Sequence, residues 1–376
     1  MKEKYLLKHF DTPLILLSMY RDSEGFHATI LQIIEANKRF LPLDLTLTDE
    51  GLTSWLKQRT IPANRAYVVN FLANLGLSEK DTMGIIKISK GLSLNDCYWV
   101  VEEDFPGTFA ENNLYDNRFS RILSYMAFTG HGTTQRTTFI SSPEFTTNGM
   151  LAKGWRRIQG KVYLYKSGTV GFSNAGNEPY CEYYASQVGK RMGLDIVSYG
   201  LAKWKGRLCS TCELFTSKKL SYIPIGRLVK KGGINAVIDF YKNLGSKFMD
   251  SLTDMIVFDS LILNTDRHLG NFGVLVDNET NRIIRPAPLF DHGLSLLTYL
   301  PEDELDGWMK YSKTRFPAAY PDFDNFAKSL MTDRQRKMLR ALVDFHFENL
   351  SKYRWSKKRI KTIEELIHKR AALLLS

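Results

Sequence analysis

Asn264-Thr265-Asp266-Arg267-His268-Leu269-Gly270-Asn271, followed downstream by Phe290-Asp291-His292-Gly293, is the stretch on which the fold of this chain turns. An Asp is followed five residues later by an Asn, and a second Asp stands just before a Gly. On the upstream side Met255, Phe258, Leu261 and Ile262 recur at helix spacing. Downstream, residues 272–276 and 282–285 are short strand-like runs. Between them Asp277-Asn278-Glu279-Thr280-Asn281 is a hairpin signal. The running order is therefore helix, polar loop, hairpin, then an Asp-x-Gly turn.

These residue types suit phosphoryl transfer from Mg-ATP. That reaction needs positioned oxygens around magnesium and a carboxylate near the attacking hydroxyl, and little covalent help from the protein. Asp266 is expected to orient the nucleophile or accept its proton. Asn271 offers a neutral oxygen to one magnesium, and Asp291 is expected to bridge metal to the β- and γ-phosphates. Magnesium takes a few hard oxygen ligands and completes its octahedron with water and phosphate, so two or three side chains suffice. The competing reading makes Asp266 and Asp291 solvated turn residues, since Asp-x-Gly is also ordinary turn composition.

Asn264-Thr265-Asp266-Arg267-His268 with Asn271, together with Phe290-Asp291-His292-Gly293, resembles the HipA-like serine/threonine kinases of bacteria. The catalytic loop is also similar to that of phosphatidylinositol kinases, which carry a related Asp-Arg-His-x-x-Asn. The resemblance is strongest over residues 140–300. It implies an α+β, protein-kinase-like two-lobe fold, with ATP and Mg2+ as cofactors. The expected division is a helix-rich accessory region over 1–135, an N-lobe and hinge over 136–216, and a C-lobe over 217–376 with a helical C-terminal extension.

An N-lobe can be read upstream. Residues 137–140 read as a strand, 141–150 as a polar loop, 151–158 as a second strand, Gln159-Gly160-Lys161 as a turn, and 162–166 as a third strand. The third strand ends in Lys166, which in kinases reaches the α- and β-phosphates; a compact ammonium on a flexible stem suits that task. Its usual partner is a Glu on the next helix, and residues 178–192 are helix-like. Glu182 is the first choice and Glu178 the alternative, because Pro179 places Glu178 in the first helical turn. Lys166 as a surface lysine and Glu182 as an exposed helix charge are the competing readings.

The loop Ser141-Ser142-Pro143-Glu144-Phe145-Thr146-Thr147-Asn148-Gly149 departs from the Gly-x-Gly-x-x-Gly of eukaryotic kinases. Its backbone N–H groups could still form an anion-binding concavity. The resemblance implies that Lys153 ends an atypical phosphate loop. It also implies that a loop serine, Ser141 or Ser142, is a site of autophosphorylation. Glu213, Leu214 and Phe215 stand where a kinase hinge belongs, with backbone groups for the adenine edge and Phe215 for apolar contact; a core aromatic explains Phe215 equally well.

Composition agrees with a cytoplasmic enzyme. The chain has 376 residues, room for a two-lobe catalytic region and one further domain. No apolar run approaches the ~20 residues that cross a bilayer, and the N-terminus lacks the apolar core and cleavage site of a signal peptide. Four cysteines suit a reducing compartment, and Cys209-x-x-Cys212 has no second pair to complete a zinc site. The net charge of +11 comes largely from residues 331–376, where Ile363, Leu366, Ile367 and Ala371 back a basic face at helix spacing. Such a face is expected to be solvated rather than to bind nucleic acid directly.

Leu52, Trp55 and Leu56, then Ala66, Val69, Phe71, Leu72 and Leu75, suggest two helices broken at Ile61-Pro62-Ala63-Asn64. Arg59 and Arg65 beside the break would suit phosphate contacts in a DNA-binding helix pair, although a packing role is the default. The expected partner is a protein substrate with a Ser or Thr acceptor. Family resemblance further implies a growth-arresting toxin restrained by an antitoxin protein. Rival readings are a lipid or small-molecule kinase, a non-catalytic kinase-fold binding module, and a metallohydrolase built on Asp266, His268, Asp291 and His292.

Overall fold

The computed structural model describes residues 3–132, 142–171, 174–349 and 351–376. The chain divides into two compact units. The first comprises Met1–Leu164 with Thr216–Ile223 and Leu275–Ile284; the second comprises Tyr165–Phe215, Pro224–Val274 and Arg285–Ser376.

The first unit begins with strands β1 (Glu3–His9), β2 (Thr12–Asp22) and β3 (Gly25–Ile33). Asp22 shapes the β2–β3 turn: its Oδ1 accepts from the N–H groups of Glu24 (2.8 Å) and Gly25 (3.2 Å), and Gly25 takes φ 120°, a conformation open mainly to glycine. Helix α1 (Asp49–Lys57) starts at Thr48, whose hydroxyl accepts from Gly51 N–H at 3.0 Å. Then come α2 (Val68–Ala73), α3 (Thr82–Ser89) and strand β4 (Tyr98–Glu102), which completes an antiparallel sheet of order β3-β2-β1-β4. Tyr5, Leu7, Leu17 and Met19 of that sheet bury against Leu52, Trp55 and Leu56 of α1. Each such side chain contributes roughly 1.5–3 kcal/mol on burial. The edge strand β3 does not stand bare: Thr53 exchanges hydrogen bonds with the backbone of Ala28, and Asp49 accepts from Ile30 N–H.

The helices expected around Leu52 and Leu72 are present as α1 and α2. The region also holds a four-stranded sheet that the helix-rich reading of residues 1–135 did not foresee. Its alternation was obscured by apolar runs such as Leu14-Ile15-Leu16-Leu17, where a register shift between Leu16 and Leu17 breaks the period of two. The phosphate-contact reading of Arg59 and Arg65 also falls. Arg59 is buried and donates to both carboxylate oxygens of Asp96 (2.7 and 2.8 Å) and to the carbonyls of Gly91 and Tyr98. Arg65, equally buried, donates to the carbonyls of Thr147 and Lys153. Both guanidiniums lock backbone.

Short helix α4 (Phe109–Asn112) and α5 (Arg121–Thr129) follow, and Leu123 and Met126 of α5 pack with Phe71, Leu72 and Phe145. Strands β5 (Lys153–Ile158) and β6 (Lys161–Ser167) are joined at Gln159 (φ 50°) and Gly160 (φ 82°), the left-handed pair of a tight hairpin turn. Two of the strands expected in this region and the turn between them are therefore present. The strand expected at 137–140 lies outside the described residues.

In the second unit the last residues of β6 lie beside β8 in the sheet. Helix α6 (Glu178–Arg191) leads to β7 (Tyr199–Trp204) and β8 (Arg207–Glu213), an antiparallel pair joined at Lys205 and Gly206, both at positive φ. After β9 (Leu220–Pro224) come α7 (Ile225–Leu228), α8 (Gly233–Leu244) and α9 (Ser246–Ile262). From Leu252 to Ile262 every side chain of α9 is buried, as in a helix surrounded by protein. Strands β10 (Gly273–Asp277) and β11 (Arg282–Pro286) form the expected hairpin, whose residues Leu275–Ile284 are counted with the first unit, and α10 (Trp308–Ser312), α11 (Asp324–Leu330), α12 (Asp333–Arg340) and α13 (Lys357–Leu375) complete the chain. On α13 the expected stripe Ile363, Leu366, Ile367 and Ala371 is buried. Two of its arginines turn inward with it: Arg359 donates to the carbonyls of Leu297 and Leu300, and Arg370 to Ser260 and Asp324. Among the described residues no helix is long and apolar enough to cross a membrane.

Candidate active site

Helix α9 ends because Leu263 adopts φ 53°, which turns the chain out of the helical path. The loop that follows folds back on Asp259, a carboxylate fully buried near the C-terminal end of α9. Asn264 donates from Nδ2 to Asp259 Oδ1 at 2.9 Å. Arg267, with no exposed surface, donates from Nε to Asp259 Oδ2 at 2.8 Å and from Nη2 to Oδ1 at 3.0 Å. The same guanidinium donates from Nη1 to the carbonyls of Asn271 (2.7 Å) and Phe290 (2.8 Å), and from Nη2 to His292 Nδ1 (3.1 Å). One buried arginine thus ties the helix end, the Asp266–Asn271 loop and the Asp291 turn together. His292 receives a hydrogen bond on Nδ1, so its proton sits on Nε2. Burial, then the Arg267 charge, hold its pKa well below the usual imidazole range.

Asp266 N–H donates to Asn264 Oδ1 at 3.3 Å, and Asn271 Nδ2 donates to the Asp266 carbonyl at 3.2 Å. This second bond fixes which way the Asn271 carboxamide faces. The Asp266 carboxyl has its pKa raised, first by burial and then by the Asp291 charge, with His268, Lys166 and Arg267 opposing. A carboxylate so placed holds a proton more readily than one in water.

The third part of the site is the Lys166 ammonium. It donates to Glu182 Oε1 of α6 at 2.7 Å and to Asp291 Oδ1. Burial pulls the Lys166 pKa down, but the Asp291 and Glu182 carboxylates outweigh burial and hold it above the ordinary lysine value. Glu182 feels the converse. Burial raises its pKa, Lys166 lowers it and Asp291 raises it, for a net upward direction. Ser210 Oγ also donates to Glu182 Oε2. Asp291 itself sits at φ 60°, and its backbone N–H donates to the Tyr199 hydroxyl at 3.1 Å.

Of the residues singled out in the sequence, Lys166, Glu182, Asp266, Asn271 and Asp291 all fall in the second unit and converge in this network. The choice between Glu182 and Glu178 resolves to Glu182. Glu178 is also buried, but it accepts from Thr169 N–H and from the Tyr299 hydroxyl, each at 3.2 Å. Phe215 packs against Phe290 with ring centroids 5.5 Å apart. Glu213 ends β8 and is exposed, Leu214 is half-buried, and the chain passes into the first unit after Phe215. Lys153 belongs to the first unit, where it is buried and its Nζ donates to the Asn148 carbonyl at 2.7 Å. Ser142, in the same unit, is buried and donates to Glu144, whose other oxygen accepts from Trp155 N–H. Ser141 lies outside the described residues.

Sequence reading missed Asp259, Tyr199 and Ser210 as parts of the site, and it placed Arg267 and His292 in the motif without their role in holding it together. One signal could have exposed Asp259: a lone carboxylate in the run Met255–Ile262 has to find a buried partner. The metallohydrolase reading gains no geometry. His268 Nδ1 accepts from Gly270 N–H at 3.0 Å, and no group of three or more His, Cys, Asp or Glu among the described residues could hold a metal. A magnesium held by phosphate oxygens needs fewer protein ligands, and the carboxylate of Asp291 with the carboxamide of Asn271 is the hard oxygen set that suits it.

No family model matches the chain, and no curated protein matches it. Among solved structures, HipA of Shewanella oneidensis MR-1, from a toxin–antitoxin complex with HipB and operator DNA, aligns with a TM-score of 0.56 at 11% identity over 98% of this chain and 96% of that one. The proinflammatory kinase CtkA of Helicobacter pylori aligns over 59% of this chain and 91% of that one, at 18% identity and a TM-score of 0.45. The full-length alignment shows that this chain has the HipA-like kinase fold, in agreement with the α+β kinase-like reading of its sequence.

Proposed function

We propose that this protein is an ATP-dependent kinase that transfers the γ-phosphate to a serine or threonine hydroxyl of a protein. The observation that carries the reading is Lys166 bridging Glu182 and Asp291, with Asp266 in the same electrostatic network. A cation fixed between a helix glutamate and a metal-binding aspartate is placed to meet the phosphates of ATP. Asn271 and Asp291 would hold magnesium, which supplies charge neutralisation on the phosphates when bound. Asp266 orients the acceptor hydroxyl and takes its proton as the oxygen attacks. Its raised proton affinity supports that role, because a base works best when its pKa approaches the operating pH. Arg267 takes no part in the chemistry; it keeps Asp266, Asn271 and Asp291 in register. Glu213, Leu214 and Phe215 are assigned to the adenine, the first two through backbone groups and Phe215 through its ring.

The HipA structure contains HipB and operator DNA. An antitoxin-type protein is accordingly the proposed partner class for this chain. Loop autophosphorylation at Ser142 would require its buried hydroxyl to leave Glu144.

The test is incubation of the purified protein with Mg-ATP, alone and with candidate protein substrates, beside Asp266→Asn, followed by intact-mass and phosphopeptide analysis. Phosphate gained with wild type alone supports the reading. ATP binding with labelling only of a lipid or small alcohol would move the acceptor to the rival class, and absence of ATP binding would sink the kinase assignment.

A further inference from the structure

We infer that residues 341–349 and 351–359, which lead from the end of α12 to the first turn of α13, act as a strap that positions α6 and hence Glu182, with Trp355 as the positioning residue at its decisive end. This rests on the kinase reading of the Lys166–Glu182 pair. Three observations carry it, all within the second unit.

The strap follows α6 along its length. At the C-terminal end of the helix Arg191 donates to the Ala341 carbonyl (2.9 Å) and pairs with Asp344 (2.7 Å). One turn back, Gln187 and Glu348 exchange two hydrogen bonds of 2.9 Å, side-chain amide to backbone in both directions. Two turns further back the Trp355 indole stacks on Tyr180 and Tyr184, with centroids 5.1 and 5.8 Å away and planes within 10°. Glu182 stands on the same helix between those two tyrosines in sequence, so an axial slide or tilt of α6 moves its carboxylate relative to Lys166.

The N-terminus of α6 depends on the strap in place of its own cap. Asn177 occupies the N-cap position, where an Asn side chain ordinarily accepts from the helix's first N–H groups. Here it makes no capping bond. Its Oδ1 accepts from Trp355 Nε1 at 3.0 Å, and its Nδ2 donates to the Thr298 carbonyl at 3.0 Å. The helix start is thus tied to the strap and to the segment that follows Asp291.

The strap also holds that segment directly. Arg359 lies over the Trp355 ring at 5.1 Å and donates to the carbonyls of Leu297 (3.3 Å) and Leu300 (2.5 Å). Trp355 and Arg359 therefore join two elements that carry opposite partners of Lys166: α6 with Glu182, and the segment running on from Asp291. A short C-terminal stretch sets the geometry of the ammonium site with no atom in it.

The experiment compares wild type, Trp355→Ala and Asn177→Ala, by amide hydrogen exchange and by kinetics of Mg-ATP use. Faster exchange in the first turns of α6, with the amides of α9 still protected, is the expected result for both variants. In catalysis kcat/KM for ATP should fall roughly 3- to 30-fold, the range for residues coupled to a site without touching its ligand, and Trp355→Phe, which keeps the stack, should recover part of the loss. If Trp355→Ala fails to fold, Asn177→Ala decides alone. Unchanged α6 protection in the folded variants, or protection lost equally across α6 and α9, overturns the strap. A wild type that transfers no phosphate would overturn the kinase reading, while the exchange result would still decide whether the strap holds α6.

Discussion

Arg267 and Asp259 face each other through two hydrogen bonds, 2.8 Å from Nε and 3.0 Å from Nη2, and neither side chain has any exposed surface. Moving both charges from water is costly, and the pair persists because each N–H donor of the guanidinium finds an acceptor. Its value lies in joining three pieces of backbone, the end of α9, the Asp266–Asn271 loop and the Asp291 turn, through one side chain.

Breaking that pair on one side should therefore be expensive. Arg267→Ala leaves the Asp259 carboxylate buried and unpaired and strips donors from the Asn271 and Phe290 carbonyls. The expected loss is about 3–5 kcal/mol of unfolding free energy, read from urea or thermal unfolding. Arg267→Lys should recover only part, because an ammonium cannot reproduce the planar fork. A loss under about 1 kcal/mol for Arg267→Ala would show that the hub carries little stability, since exposed pairs behave that way.

Asp266→Asn should separate chemistry from folding. The folded state raises the Asp266 pKa, so it binds that proton more tightly than the unfolded chain does. Such a group stabilises the fold only while protonated, and its contribution is lost as pH rises through the folded pKa. At neutral pH the ionised carboxylate therefore works against the fold, and a neutral amide should leave the protein as stable as wild type or more so. Phosphotransfer should fall by roughly 10²- to 10⁴-fold, the usual worth of a positioned base. An unfolding midpoint clearly below wild type would contradict the electrostatic account, and undiminished turnover would remove Asp266 from the chemistry.

Much of the site was legible because its residue types are rarely placed together without a reason. Asp266, Asn271 and Asp291 lie within one short stretch, and Lys166 stands next to last in β6, at the end of an alternating run. Glu182 was found through the expected pairing of a strand lysine with a glutamate on the next helix, and it is the one of the two candidates that contacts Lys166. What supports these residues was not legible. Asp259 pairs with Arg267 eight positions away across a helix end, and Tyr199 meets Asp291 from a strand ninety-two residues earlier. Such partners are set by tertiary packing that leaves no local period. The opening sheet was missed for a different reason: β2 is buried on both sides through part of its length, so Leu14 to Leu17 read as an apolar run without strand alternation.

Lys166→Met should disable ATP use and strain the apoprotein at once. With the ammonium gone, the carboxylates of Glu182 and Asp291 are left facing each other with little water to screen them. The expected outcomes are loss of phosphotransfer by at least about two orders of magnitude and a lowered unfolding midpoint. The double variant Lys166→Met with Glu182→Gln should recover stability but not activity, because it removes one of the two repelling charges. Recovery of neither stability nor activity, or an unchanged midpoint for the single variant, would mean that the Lys166 network is not the electrostatic centre of the site.

The first unit offers a pH-dependent test independent of catalysis. His9 is buried among Phe10, Phe40 and Tyr98, and burial, against the pull of Asp96, lowers its pKa to about 4. The unfolded chain, with an imidazole pKa near 6.5, binds that proton more readily than the folded one. Stability should therefore rise with pH through the window between the two values and be lost as pH falls through it. His9→Phe replaces the ring by one that suits the same aromatic surroundings and removes the titration. The difference in unfolding free energy between about pH 5 and about pH 7 should be smaller in the variant than in wild type. Equal pH dependence in the two proteins would mean that His9 is charged, or water-exposed, in the folded state.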